Sequence, residues 1–452
     1  MAKSLNMTRG NPLKQLFFFS LPLMFGNVFQ QLYTVVDTAI VGQGVGMTAL
    51  AALGTVDWLN WMFLGIAQGF TSGFAVRISQ NFGRDNIRGM QKAAGQSAFL
   101  SALIALAVVV LGQALLPVFL MAMQVPADLR PLGTLYMRIM LSGFPAVMFF
   151  NYCSALLRAV GNSKTPLYAM IAASVTNIVL DVVFVFVFRW GIGGAAVATV
   201  IAQCLSGVVC VWKVVKTPQL RFKPSDWTPV SHLCKDLLAI GSPVAAKNVI
   251  IALGGMVVQS IVNGFSLAFI AGFTSTNKLY GLLEIAATSY GYAVTTYVGQ
   301  NYGAMDLDRV KKGMRSATFL AVVTSLVISA VMFLFGREIT MIFISRDDPV
   351  LAAEAGNIAY WYLCAMSVSL PVLYLLYVYQ SGLQGMGNTV VPMLSGMLEF
   401  ALRVSLSITI AVTGFRYGIF GAEVSAWWGA AIFLTVSYFR HYKKAQKKHK
   451  PQ

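Results

Sequence analysis

The chain has 452 residues, of which 57% are hydrophobic and only 11% charged, and its mean hydropathy is +0.70. No water-soluble domain of this length tolerates such a surface, so the composition is that of an integral membrane protein. The formal charge of +17 requires no nucleic-acid partner, because it collects at one side of the spans, and Cys153, Cys204, Cys210, Cys234 and Cys364 are too scattered for a disulfide framework or metal cluster.

In chain order, apolar stretches long enough to cross a bilayer as helices fall at about 14–43, 48–79, 93–121, 131–156, 165–188 and 194–215. Six more follow, near 236–262, 268–298, 313–343, 356–382, 389–414 and 418–440. The first has polar residues and no small-residue cleavage site, so it reads as a retained helix. Lys and Arg collect on the side of the N-terminus, from Lys3 and Arg9 to the tail at Arg440–Lys450, while Arg130, Arg138, Arg189, Arg337, Arg346 and Arg416 face the other way. The asymmetry predicts both termini in the cytoplasm and attraction of the tail to anionic lipid headgroups.

The second half repeats the first. Ile78-Ser79-Gln80-Asn81-Phe82-Gly83 returns as Val298-Gly299-Gln300-Asn301-Tyr302-Gly303. Phe188-Arg189-Trp190-Gly191 returns as Phe415-Arg416-Tyr417-Gly418, and Gly161-Asn162 with Pro166 as Gly387-Asn388 with Pro392. The expectation is an all-α membrane protein of about twelve spans in two six-helix lobes. Even numbers of spans per half give both lobes the same orientation, related by a pseudo-two-fold axis, with a V-shaped cavity between them. The lobes are expected at 1–215 and 236–440, joined by a polar, Pro-rich linker at 216–235 and followed by a basic tail at 441–452.

Charged residues inside spans cost about 2.5–3.5 kcal/mol each on insertion scales and so mark function. The first half has Asp37, Asp57 and Asp181, with Tyr33, Asn177 and Thr199 beside them. Tyr33 with Asp37, and Asn177 with Asp181, are spaced i, i+4 and share a helix face. At 1.5 Å per residue, Asp37, Asp181 and Thr199 all fall roughly 7–12 Å from the outer helix ends. Three helices therefore bring oxygens to one level. Two carboxylates without a basic partner suit a proton or a cation better than a structural lock. Asp57, near the mouth, reads as structural.

These residues resemble the multidrug and toxic compound extrusion (MATE) family. The resemblance rests on Phe19-Ser20-Leu21-Pro22, on Gln31-Leu32-Tyr33-Thr34-Val35-Val36-Asp37-Thr38-Ala39-Ile40-Val41-Gly42, on the Gln-Asn-aromatic-Gly ends and on Gly161-Asn162. It implies drug efflux driven by H+ or Na+, with the cation site in the N-terminal lobe at Asp37, Asn177, Asp181 and Thr199. Pro22 is similar to the proline at which the first helix bends in some members, and Tyr33 is associated with the site. The seventh span, Gly241–Ile251, and the tenth, Tyr360–Gln380, lack the acids of other branches, so the pattern is nearer the DinF-like bacterial branch.

The C-terminal lobe has Lys247, Lys278, Glu284, Glu399, Arg403 and Glu423, which line a substrate path or form an internal ion network. Glu399 and Arg403, spaced i, i+4 in the favourable order, read at least as readily as an ion pair. The expected function is export of amphipathic, cationic organic compounds in exchange for H+ or Na+. A flippase for a lipid or lipid-linked oligosaccharide is the alternative that Lys247, Lys278 and Arg403 keep open. An enzyme is excluded, since His232, His441 and His449 lie at surfaces and no nucleophile–base or metal motif is present. No cofactor is expected beyond the coupling ion, and the partners are drugs and membrane lipids around a monomer in a bacterial inner membrane.

Overall fold

The computed structural model describes residues 6–123, 125–221, 223–344 and 349–449, which are helical apart from short connections, with no strand among them. Lys3, Arg346 and Lys450 of the charge asymmetry lie outside the described residues. The first half contains α1 (Pro12–Gly44), α2 (Met47–Gly83), α3 (Ile87–Ala122), α4 (Arg130–Ser142), α5 (Phe144–Ala159), α6 (Lys164–Asp181) and α7 (Gly191–Lys216). The second contains α8 (Ser231–Val262), α9 (Leu267–Gly303), α10 (Leu307–Met341), α11 (Pro349–Gly385), α12 (Val390–Thr413) and α13 (Ile419–His449).

Each expected span falls on a helix, and two of them are interrupted. The fourth is broken into α4 and α5, which meet at 45°. Pro145, in the first turn of α5, has no N–H to continue the ladder, and its ring clashes with the carbonyl one turn back. The fifth changes pitch: a π-helical stretch, Val182–Val187, starts directly after Asp181. Among the described residues nine helices are long and apolar enough to cross a membrane, or ten spans with the bent pair. Helices α1 and α9 have the length but carry Gln30, Gln31 and Asp37, and Asn277, Lys278 and Glu284.

The described residues divide into two compact units, one formed by Asn6 and Met7 with those of Leu21–Val249, the other by Thr8–Ser20 with those from Ile250 to His449. The divisions fall inside α1, beside Pro22, and inside α8. In the first unit α2, α3, α5 and α7 enclose a core of Ile78, Met90, Leu156, Leu157 and Cys210. In the second, α11 packs against α9, α10 and α13. Tyr362 of α11 stacks between Phe273 and Phe420, each at 4.8 Å, which places flat apolar area at the centre of the bundle.

The 216–235 interval is fastened to the first unit. Asp226 is buried and takes both guanidinium nitrogens of Arg88, at 2.7 and 2.8 Å. Its Oδ2 also accepts from the Lys223 amide at 2.8 Å. Gln96 of α3 donates to the carbonyls of Asp226 and Thr228, at 2.6 and 2.7 Å, and accepts from the Val230 amide at 2.9 Å. Gly95 permits this approach, because a Cβ there would lie 2.7 Å from the Asp226 carbonyl oxygen. Desolvation raises the Asp226 pKa, but the Arg88 and Lys223 hydrogen bonds and the nearby positive charges outweigh it and hold the carboxyl below the usual Asp range.

The sequence repeat reappears as repeated turn chemistry. Asn86 caps α3 by accepting from the Gly89 amide, and Asp306 caps α10 by accepting from the Arg309 amide, both at 2.9 Å. Asp85 and Met305, one residue earlier, both adopt positive φ, 55° and 63°. Asn162 and Asn388 accept from the amides three residues on, at 3.1 and 3.3 Å. The glycines before them have φ of 83° and 87°, where a side chain would be strained.

Candidate cation-coupling site

Within the first unit, three helices converge on the residues that the sequence places at one level. Helix α6 contributes Asn177 and Asp181, both fully buried. Helix α1 contributes Tyr33 and Asp37, and α7 contributes Thr199. Asn177 Nδ2 donates to Thr199 Oγ1 at 3.3 Å, and the Thr199 hydroxyl donates back to the Ala195 carbonyl at 3.1 Å. That bond consumes the hydroxyl proton and leaves Thr199 as an acceptor.

The carboxyl groups of Asp37 and Asp181 lie within hydrogen-bonding reach of each other. Neither has an ion-pair partner among the described residues. Asp37 Oδ1, both oxygens of Asp181, Asn177 Oδ1 and Gln203 Oε1 are buried with no donor in range. Every one of these atoms is an acceptor. Two carboxylates sharing such a contact need a proton between them, or a hard cation that ligates several oxygens at once. Carboxylate, amide and hydroxyl oxygens are hard ligands, which suit H+ or an alkali cation.

Two participants escape a reading by charge. Gln203 is one turn beyond Thr199 on α7, with its Oε1 buried. Tyr136 of α4 is buried where the charges of Asp37, Asp57 and Asp181 all act on it. The i, i+4 spacing from Thr199 marks Gln203; nothing in the sequence marks Tyr136. Asp57 is exposed on α2. Pro22 lies about 22 Å from Asp37 along α1 at 1.5 Å per residue. It is inside the helix and outside the oxygen cluster.

The polar residues of the second half separate into different places. Arg403 Nη2 donates to Glu423 Oε1 at 2.7 Å, and Trp427 Nε1 donates to the same oxygen at 3.2 Å. Glu399 is buried one turn before Arg403, and its charge acts on that guanidinium. The Tyr377 hydroxyl donates to Glu284 Oε1. Tyr280 stacks on Trp427 at 5.6 Å and lies where the charges of Glu284, Glu399, Arg403 and Glu423 reach it. Lys278 is exposed and forms no ion pair among the described residues, and Lys247 is buried in the part of α8 that belongs to the first unit.

A family model described as MatE matches residues 22–183 and 243–409. The chain is 28% identical over 355 residues to the "Probable multidrug resistance protein YpnP" of Bacillus subtilis, covering 78% of this chain and 79% of that protein. It is 24% identical to the "Probable multidrug resistance protein NorM" of Thermotoga maritima, over 91% and 88% of the two chains. Among solved structures it is similar to a MATE in complex with MaL6, with a TM-score of 0.91, 21% identity and coverage of 99% and 100%. An outward-facing MATE transporter of the MOP superfamily gives a TM-score of 0.90 at 21% identity, over 99% of both chains.

Proposed function

Because this chain belongs to the MatE family, whose members are transporters and not enzymes, we propose that it exports amphipathic, cationic organic compounds in exchange for H+ or Na+. Multidrug efflux is the coarser reading, and the relatives support it directly. What supports the exchange mechanism is one observation, the set of buried oxygens on α1, α6 and α7 that have no donor. An arriving ion relieves the repulsion between Asp37 and Asp181 and ties α1 to α6. The ion thereby favours one conformation over another, which is all that coupling requires. The π-helical stretch after Asp181 and the missing N–H at Pro22 are the places where these helices yield at low cost.

In this reading the protein acts as a monomer in the bacterial inner membrane with both termini in the cytoplasm. A flippase finds less support, since it would want an uncompensated cationic interior, and Arg403 is spent on Glu423. The test is uptake of a fluorescent cationic drug into inverted vesicles, with pH and Na+ gradients imposed separately. Uptake driven by one of the two gradients is expected. Uptake indifferent to both would overturn the exchange mechanism while leaving the family assignment intact.

A further inference from the structure

Helix α13 continues past the point where its apolar sequence stops. On its outer face Trp428, Ile432, Val436 and Phe439 are exposed, as lipid-facing side chains of a spanning helix are, and the same stripe then continues as Arg440, Lys443, Lys444 and Lys447, also exposed. From Phe439 to Lys443 is about 6 Å at 1.5 Å per residue. A headgroup layer is roughly 5–8 Å thick on each side of the hydrocarbon. These cations are thus carried directly into that layer by the face that touches lipid below it.

The extension is held in place from behind. Tyr438, Tyr442 and Ala445 form its buried stripe, and the Tyr442 hydroxyl donates to the Leu307 carbonyl at the start of α10, at 3.1 Å. The rings of Tyr438 and Tyr442 stack at 6.1 Å, and His441 Nδ1 lies 3.3 Å from Asn388 Nδ2. Helix α10 shows the same transition in reverse. Its exposed stripe of Val323 and Phe319 becomes Arg315, Lys312 and Lys311, all exposed, as it approaches the point where Tyr442 docks.

The charge is only partly offset. No acidic residue lies between Glu423 and Gln452, and Asp306, which caps α10, keeps its negative charge beside the start of that helix. Asp308, exposed on the first turn of α10, offsets one cation. Arg309 is engaged elsewhere, with Asn301 at 2.9 Å and the Gly10 carbonyl at 3.1 Å, so it adds nothing to the surface. We propose that Arg440, Lys443, Lys444 and Lys447 of α13, with Lys311 and Arg315 of α10, form a binding site for the headgroups of anionic phospholipids. A solvated basic tail would need neither the continuous helix nor the buried tyrosines. A lipid site needs both, because cations held along one face of a fixed helix lose little freedom on binding.

The full-length protein is purified in detergent and offered equal amounts of phosphatidylglycerol and phosphatidylcholine, with retained lipid read by native mass spectrometry and stability by the thermal midpoint. Retention of the anionic lipid is expected to exceed that of the zwitterionic one by about tenfold. The triple variant Lys443→Gln, Lys444→Gln, Lys447→Gln should lose most of this preference and keep its midpoint in detergent alone, since all three side chains are exposed. Should that variant express poorly, Lys311→Gln with Arg315→Gln gives a second reading in the same direction. Equal retention of both lipids by the wild type, or an unchanged preference in both variants, overturns the proposal. So does equal stabilisation by inorganic phosphate, or displacement of the lipid by a short oligonucleotide.

Discussion

In the first unit Asp37, Asn177, Asp181 and Gln203 hold buried oxygens without a donor, whereas in the second Arg403, Trp427 and Tyr377 supply donors to Glu423 and Glu284. The two halves share their turn chemistry almost residue for residue, down to the caps at Asn86 and Asp306. They therefore agree where local backbone geometry decides and diverge where burial decides. A buried polar group without a partner is costly in an apolar medium, so the first unit gains most from an ion that arrives. The second unit supplies a counter-charge of its own at Arg403, which the first unit's oxygen cluster does not have.

The sharpest way to break this contrast is to remove one carboxylate from the first unit. Asp37→Asn or Asp181→Asn should abolish gradient-driven efflux, a loss of at least about a hundredfold, because a neutral amide cannot release and rebind the coupling ion. The protein should still insert and melt normally. Drug uptake into vesicles, with melting followed in parallel, checks both halves of the expectation; full uptake by either variant removes the carboxylate pair from the coupling mechanism.

The converse is to disturb the second unit, where the damage should appear in stability. Arg403→Met removes the buried guanidinium from half-buried Glu423, which still keeps the Trp427 donor, so the cost falls below the about 3–5 kcal/mol of a fully buried pair that loses one member. The measurement is the thermal midpoint and the yield of folded protein. Glu423→Gln, which keeps an acceptor for Trp427 and Arg403, should cost less. Equal stability of Arg403→Met and wild type would mean that the second unit is not held by its counter-charge.

A smaller effect is expected where an acid outside the membrane-spanning helices is fully compensated. Asp226, held below the usual Asp range by Arg88 and Lys223 despite its burial, contributes to stability fully at pH values above the ordinary Asp pKa of about 3.9. That contribution is lost as pH falls through the lower folded value. Asp226→Asn should cost about 1–3 kcal/mol at neutral pH, as charged hydrogen bonds do. Melting curves of the variant should also show a flatter acid limb than wild type. An identical acid limb would remove Asp226 from the stability of the first unit.

The spans were legible because lipid demands unbroken apolar length, and the first-unit site because charge within a span is rare enough to be noticed. Asp37, Asn177, Asp181 and Thr199 come together as their helical spacing and depth suggest. Tyr136 was not legible, since a lone Tyr in a span costs too little to stand out from the background, and Gln203 was marked only by its spacing from Thr199. The break at Pro145 was available from the residue type, whereas the π-helical stretch after Asp181 was not, because Val182–Val187 is a plain apolar run. Lys247 and Lys278 were grouped with the acids of the second half by position alone. Adjacency in three dimensions separates them.

The fastening of Asp226, Thr228 and Val230 onto Gln96 and Arg88 also bears on how the protein is made. A nascent chain that has emerged only through Lys216 presents all of α1 to α7, yet the amide of Gln96 and the guanidinium of Arg88 still lack the groups they hold in the finished structure. Some fifteen further residues must emerge before the first half can close these hydrogen bonds. Maturation of that half is thereby timed to the arrival of α8, which reaches the insertion machinery with its leading end already moored.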